Sequence, residues 1–186
     1  MKSKYKYQLI ASVAALLLNT LCTAIVFIFG IETTALKIIG SFASIIIVSA
    51  VAWMFPLRFY MLAMGFVFFA ASLGSCVNLY RHVGFYDLFV HYLSGVVLAE
   101  GGLIIIDFVF NMRMLPDDGI VKNLFALFFS CACAGFWVIY EFTADCLINA
   151  DMQGSKVNTM GDIIAGVLGA VTYFAVSMLL KKKSKT

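Results

Sequence analysis

The stretch NLFALFFSCACAGFWVIY, residues 123–140, contains eighteen residues and no charged side chain. A helix of about 17 to 25 apolar residues crosses the ~30 Å hydrocarbon core of a membrane. The apolar residues are continuous and do not alternate with polar ones, as they would in the strands of a membrane β-barrel. The stretch therefore predicts a transmembrane helix.

Five more apolar runs of similar length occur, and only the run 88–110 contains charged residues or histidine. Soluble domains carry about 25% charged residues, whereas this chain of 186 residues is 12% charged and 63% hydrophobic, with a mean hydropathy of +1.00. We therefore expect an all-α, polytopic protein of the cell membrane, a bundle of six transmembrane helices in a single integral membrane domain. The predicted spans are about 8–30, 35–54, 59–80, 87–110, 121–147 and 159–180.

Basic residues are distributed unequally between the two sides of the membrane. If the N-terminus is cytoplasmic, ten Lys and Arg residues lie on the inner side and three on the outer side. The inner residues are Lys2, Lys4, Lys6, Arg58, Arg113, Lys122, Lys181, Lys182, Lys183 and Lys185, and the outer ones are Lys37, Arg81 and Lys156. Cytoplasmic segments are enriched in Lys and Arg, so we predict that both termini are cytoplasmic. The fourth and sixth spans then begin, and the fifth ends, at the outer side.

Ionisable residues are concentrated at the predicted outer ends of the last three spans. Asp87 and His91 lie at the start of the fourth span, and Glu141 and Asp145 lie near the end of the fifth. Each pair is spaced i, i+4, which places both members on one face of a helix. Asp162 lies in the first turns of the sixth span. We therefore predict that these five residues line one outward-opening pocket.

Some of these residues also have a purely structural explanation. Acidic residues near helix N-termini stabilise the helix dipole, which accounts for Asp87 and Asp162 without a site. For Asp145 the structural alternative is a position at the membrane interface. Thr159 and Asp162 also have the spacing of a capping box. His91 and Glu141 lie deeper, where ionisable residues face the protein interior and usually mark function. We predict that these two residues face each other or share a polar pocket.

The same candidate residues offer the nitrogen and oxygen atoms that divalent metal ions bind in proteins. The chain contains no HExxH pattern or comparable metal-binding signature. The sequence alone therefore predicts no particular metal or cofactor for these residues.

Two further acidic residues lie on the fourth span. Glu100 and Asp107 are seven residues apart and share a face, but Glu100 is nine residues from His91, which at about 100° per residue is the opposite side of the helix. Asp107 is expected to pair with Arg113 or Lys122 at the inner surface. Glu100 lies near the middle of the membrane, where it is neutral, bonded to a neighbouring helix, or part of a proton path.

Small residues recur at helical spacing in the last two spans. They are Ser130, Ala132, Ala134 and Gly135 in the fifth span, and Gly161, Ala165, Gly166, Gly169 and Ala170 in the sixth. Small residues let helix backbones approach closely in a membrane. We predict that these two spans pack together within one molecule, with dimerisation through the same faces as the alternative.

The last three spans also carry short motifs in a fixed order. They are D-x3-H-x3-G at 87–95, YE-x3-D at 140–145, and N-T-x-x-D-x3-G-x2-G at 158–169. This order resembles the YjdF-like inner-membrane proteins and, more distantly, the VanZ-like proteins, over about residues 80–175. Asp145 stands where the pattern has Glu, and Asn158 where it has Asp, which weakens a strict metal-site interpretation. The resemblance implies little about activity beyond the association of VanZ-like members with low-level glycopeptide resistance.

Three functions remain open. The leading one is an outward-facing polar Asp/His/Glu site that binds, or acts on, the head group of a lipid or cell-envelope precursor; in an enzyme, Glu141 or His91 would be the general base. The second is a small proton-coupled transporter that uses Glu100. The third is a non-catalytic membrane protein whose polar cluster is a structural clamp. We expect membrane lipid, and a lipid-linked or envelope substrate, as partners, and no nucleic acid.

Overall fold

The chain folds into helices, and the all-α prediction is confirmed. The computed structural model describes residues 2–114, 118–148 and 155–183, and no β-strand occurs among them. The α-helices are α1 (Lys2–Phe29), α2 (Ala35–Ala52), α3 (Leu57–Val67), α4 (Leu79–His82), α5 (Tyr86–Arg113), α6 (Gly119–Ile148) and α7 (Lys156–Lys183), and a π-helical segment (Phe68–Cys76) continues α3.

Within the described residues, six segments are long and apolar enough to cross a membrane, as the sequence predicts. They are Lys4–Phe29, Ala35–Ala52, Leu57–Cys76, Tyr86–Arg113, Gly119–Ile148 and Val157–Leu179. The chain is therefore a multi-pass membrane protein with six helical spans. The cytoplasmic position of both termini and the single membrane domain stay predictions.

Polar side chains fix the start of two of these helices. Thr34 precedes α2 in an extended conformation, and its Oγ1 accepts a hydrogen bond from the Lys37 N–H at 3.3 Å. Asp118 precedes α6, and its Oδ1 accepts hydrogen bonds from the N–H groups of Ile120 at 2.9 Å and Val121 at 3.1 Å. The first N–H groups of a helix have no partner within it, so these caps fix where α2 and α6 begin.

The third span departs from a regular α-helix over its last nine residues, Phe68–Cys76, which form a π-helix. Ser75 Oγ donates a hydrogen bond to the Ala70 carbonyl, five residues earlier, at 3.4 Å. Asn78 then adopts a left-handed conformation with φ 65°, which asparagine tolerates better than most residues. The span therefore ends at Cys76, whereas the apolar run continues to residue 80.

The chain divides into two compact units, residues 1–90 and 91–186. In the first unit, α1, α2 and the third span pack around a buried apolar cluster consisting of Ala15, Ile45, Ala52, Tyr60, Met64 and Val67. One end of this unit is held by polar contacts: Lys37 Nζ donates to Asn78 Oδ1 at 2.9 Å, and Asn78 Nδ2 donates to the Glu32 carbonyl at 2.9 Å.

In the second unit α6 packs along α7, which confirms the predicted contact between the fifth and sixth spans. A Cβ atom added to Gly166 would lie 3.2 Å from the Ala134 Cβ, so the two small faces meet. An apolar cluster lies beside this contact and consists of Ala99, Ala126, Ala170, Tyr173 and Phe174. These small residues thus serve packing within one molecule.

Candidate functional site

Glycines allow α5 and α7 to approach each other backbone to backbone. A Cβ atom on Gly95 would lie 1.9 Å from the carbonyl oxygen of Gly166, and one on Gly169 would lie 2.0 Å from the carbonyl oxygen of Tyr92. A methyl group does not fit at such distances, so these positions require glycine. We call this contact the glycine crossing. It is made by glycines of the D-x3-H-x3-G and N-T-x-x-D-x3-G-x2-G motifs.

The glycine crossing explains why His91 and Asp162 meet. Helices α5 and α7 are separated by one intervening span, so both cross the membrane in the same direction. His91 precedes Gly95 by four residues, and Asp162 precedes Gly166 by four residues, which in each case is about one turn. The two side chains therefore lie opposite each other, and the His91 Nε2–Asp162 Oδ1 distance is 4.0 Å. Both residues are buried, with 7% and 1% exposure.

The Asp162 carboxylate is oriented by a second contact within α7. Asn158 Nδ2 donates a hydrogen bond to Asp162 Oδ2 at 3.1 Å, while Oδ1 is the oxygen nearest His91. The two oxygens of one carboxylate thus contact different groups. Asn158 therefore orients the Asp162 carboxylate.

The interpretation of Thr159 and Asp162 as a capping box is wrong. Helix α7 begins at Lys156, and Ser155 Oγ accepts the hydrogen bond from the Asn158 N–H at 3.2 Å. Ser155 therefore occupies the N-cap position. Asp162 lies in the second turn, beyond the terminal N–H groups that a cap satisfies, so capping does not account for its burial.

Asp87 lies one turn before His91 on the same helix. Helix α5 is continuous from Tyr86, so the i, i+4 spacing alone places Asp87 beside His91. Asp87 is half-buried, and one ligand atom from each of Asp87, His91 and Asp162 lies within 4.8 Å of the others. Among the described residues, these three side chains form a group whose nitrogen and oxygen atoms are close enough together to hold one metal ion.

Glu141 is buried, as its position in an apolar span predicts. It is 6% exposed, and its Oε1 accepts a hydrogen bond from Trp137 Nε1 at 2.8 Å. Asp145 lies one turn further along α6 and is half-buried. The predicted contact between His91 and Glu141, and the position of Asp145 in one shared pocket, stay predictions.

The depth of Glu141 relative to Asp162 follows from the contact between α6 and α7. Ala134 faces Gly166, so these two residues lie at similar depth. From there Glu141 is seven residues, about 10 Å, and Asp162 four residues, about 6 Å, towards the end at which α7 begins. Glu141 therefore lies about one turn nearer that end than Asp162.

Two residues of this region carry contacts that the sequence motifs do not indicate. Trp137 precedes Glu141 by four residues, and this spacing places the indole N–H donor on the same face of α6 as the Glu141 carboxylate. Ser130 Oγ donates to the Gly95 carbonyl at 3.1 Å and links α6 to the glycine crossing. Nothing in the spacing of Ser130 marks that contact, because it depends on the rotation of α6 about its axis.

The two acids outside this group also have partners. Tyr173 Oη donates a hydrogen bond to Glu100 Oε2, and both residues are buried. Glu100 is therefore bonded to a neighbouring helix, one of the predicted options. Lys122 Nζ lies 2.7 Å from Asp107 Oδ1, which confirms the predicted pairing of Asp107 with a basic residue.

Six membrane-length helices in the part of the chain that the structure describes define a multi-pass membrane protein. Buried His and Asp side chains lie near the ends of two of these helices. The chain belongs to the family described as Predicted membrane protein (DUF2238), whose model matches residues 7–183. The match includes all of the candidate site residues. No curated protein and no solved structure matches this chain.

Proposed function

We propose that this membrane protein binds the phosphate-bearing head group of a lipid, or of a lipid-linked cell-envelope precursor, at the site around His91 and Asp162. The observation that carries the proposal is the buried pair itself, with 4.0 Å between His91 Nε2 and Asp162 Oδ1. Ionisable residues inside membrane-spanning segments are costly and usually functional. On the predicted topology, the site opens to the outer side.

The length of α5 supports a position at the level of the head groups. Helix α5 has 28 residues, which corresponds to about 42 Å, so it exceeds the ~30 Å hydrocarbon core by about 12 Å. Asp87 and His91 lie in its first two turns. We therefore expect their side chains near the boundary between the hydrocarbon core and the polar layer of the membrane.

The chemistry of the site fits a head group that carries both donors and a phosphate. Carboxylates accept hydrogen bonds from hydroxyl and amino groups, and histidine can donate one to a phosphate oxygen. The acids Asp87, Asp162 and Glu141 would repel a bare phosphate. A cation that lies between them and the phosphate removes this repulsion.

Native mass spectrometry of the protein purified from membranes tests the proposal. We expect the wild-type chain to retain a bound phospholipid or polyprenyl phosphate, and the adduct mass distinguishes the two sources. Asp162→Asn should retain about tenfold less, since a hydrogen bond to a charged group contributes about 1.5–3 kcal/mol.

The matched control is Asp107→Asn, which makes the same chemical change on an acid at the other end of α5. Asp107 pairs with Lys122, and its side chain is 53% exposed, so lipid retention should stay at the wild-type level. Equal retention by the Asp162→Asn and Asp107→Asn variants would refute the proposal.

A proton-coupled transporter is the second candidate, and buried Glu100 with its Tyr173 hydrogen bond favours it. Ionisable residues deep in membrane spans are used in proton relays. Proton flux into proteoliposomes, measured with a trapped pH-sensitive dye, tests this function. Glu100→Gln should abolish the proton flux that the wild type shows. Equal flux in the wild type and in Glu100→Gln would contradict the transporter.

A further inference from the structure

We propose that Asp87, His91 and Asp162 bind one divalent transition-metal ion at the end of α5 and α7. This inference deepens the proposed function, because the ion would be the group that binds the head-group phosphate. Only the phosphate-binding role of the ion rests on the proposed function. Binding of the ion itself depends on the three protein ligands alone.

The distances between the donor atoms are close to those of a metal site. Metal bonds to His nitrogen and carboxylate oxygen are about 2.1 Å, so two atoms on one ion are at most about 4.2 Å apart. The three donor atoms lie within 4.8 Å of one another, and His91 Nε2 is 4.0 Å from Asp162 Oδ1. Small side-chain rotations, with the backbones held by the glycine crossing, would bring all three atoms onto one ion.

The charge of the group also favours a dication. Asp87 and Asp162 bring two carboxylates together, one half-buried and one buried, and neighbouring carboxylates repel each other. A divalent ion neutralises both. One imidazole with two carboxylates suits Mn²⁺, Fe²⁺ or Zn²⁺ better than Ca²⁺ or Mg²⁺, which prefer oxygen ligands alone.

The contact with Asn158 has the form of an outer-shell interaction in metal sites. Carboxylate ligands are commonly hydrogen-bonded by a second residue, which fixes their orientation. Asn158 Nδ2 holds Asp162 Oδ2, and Oδ1 is the oxygen nearest His91 Nε2. Three protein ligands leave coordination positions for other groups, as in catalytic metal sites, and a phosphate oxygen can occupy one of them.

The chain offers a sharp test because it contains only two histidines, His82 and His91. His82 is exposed, whereas His91 is 7% exposed. The protein is purified in detergent with a tag that lacks histidine, treated with EDTA, and titrated with Mn²⁺ or Zn²⁺ without added lipid. We expect one ion per chain. His91→Ala should weaken binding at least about tenfold, while His82→Ala should leave it unchanged.

A spectroscopic measurement keeps the test independent of variants that fail to fold. Pulsed EPR of the Mn²⁺-loaded wild type should show coupling to one imidazole nitrogen, and the His82→Ala variant should keep that coupling. Asp87→Asn, a change of nearly equal shape at a half-buried position, should weaken binding by about the same factor as His91→Ala.

Several results would overturn the metal site. They are the absence of stoichiometric binding to the wild type, loss of the nitrogen coupling in His82→Ala, and unchanged affinity in both His91→Ala and Asp87→Asn. Failure of the proposed head-group function would look different. The wild type would still bind Mn²⁺, but Asp162→Asn would leave lipid retention in native mass spectrometry unchanged.

Discussion

Replacing Gly95 with alanine should separate α5 from α7 and destabilise the protein. The added Cβ would lie 1.9 Å from the Gly166 carbonyl oxygen, and ordinary contact requires about 3.5 Å. The backbones must therefore move apart by about 1.6 Å, because a carbonyl oxygen within a helix cannot rotate away. The same movement would lengthen the His91–Asp162 distance from 4.0 Å to about 5.5 Å.

The expected loss of stability follows from two opposing terms. Overpacking costs about 1–3 kcal/mol, and backbone contact places Gly95→Ala near the upper limit. Alanine recovers about 0.5–1 kcal/mol through its better helix propensity. The net loss is about 2 kcal/mol, which in a chain of this length lowers Tm by about 4–8 °C.

A graded series of Gly→Ala variants provides the assay and its control. A Cβ on Gly135 would have no neighbour within 4 Å, and one on Gly166 would lie 3.2 Å from the Ala134 Cβ. Thermal unfolding in detergent should therefore rank Gly135→Ala at or above wild type, Gly166→Ala slightly below it, and Gly95→Ala lowest. Equal Tm values for Gly95→Ala and Gly135→Ala would refute the close approach of α5 and α7.

Two further predictions concern the topology and the buried acid of α5. At Thr186, a fused reporter that works only in the cytoplasm should be active, because the ten-to-three distribution of basic residues predicts that both termini are cytoplasmic. Activity of a reporter that works only outside the cytoplasm would contradict this orientation. Tyr173→Phe should lower the free energy of unfolding by about 1–3 kcal/mol, because it removes the hydrogen-bond donor to buried Glu100. The control Tyr140→Phe, at a 53% exposed position, should leave stability unchanged. Equal Tm values for the two variants would contradict a structural role for the Tyr173–Glu100 hydrogen bond.

The spans could be predicted from the sequence because membrane insertion depends on summed hydrophobicity over a fixed length. The pairing of Asp107 with a basic residue was predictable for a similar reason, since Asp107 and Lys122 lie near the ends of consecutive helices. These features depend on position along a helix. They need no knowledge of which faces of two helices meet.

The partner of His91 was harder to predict. Its contact with Asp162 depends on the rotation of α5 and α7 about their axes, which the glycine crossing fixes. The spacing of Gly95 and Gly166 from His91 and Asp162 contains this information, but only once the two glycines are known to meet. The end of the third span was missed for another reason, since Asn78 can continue a helix or adopt the left-handed conformation that ends it.

The glycine crossing also bears on the choice between a functional site and a structural clamp. Helices α5 and α7 are already held by backbone contact at Gly95, and α6 is linked to them by the Ser130 hydrogen bond to the Gly95 carbonyl. A buried ionic pair adds little stability to such a contact, because apolar residues of similar volume often replace one without loss.

The double variant His91→Leu/Asp162→Val should therefore keep the fold and a Tm within a few degrees of wild type, while it loses Mn²⁺ binding and head-group retention. Size-exclusion chromatography and thermal unfolding measure the first property, and titration and native mass spectrometry the second. If the polar cluster is a structural clamp, we expect the reverse result, in which the Leu and Val substitutions unfold the protein. An unfolded double variant would thus favour the clamp, since nothing in the glycine crossing would then suffice to hold the two helices.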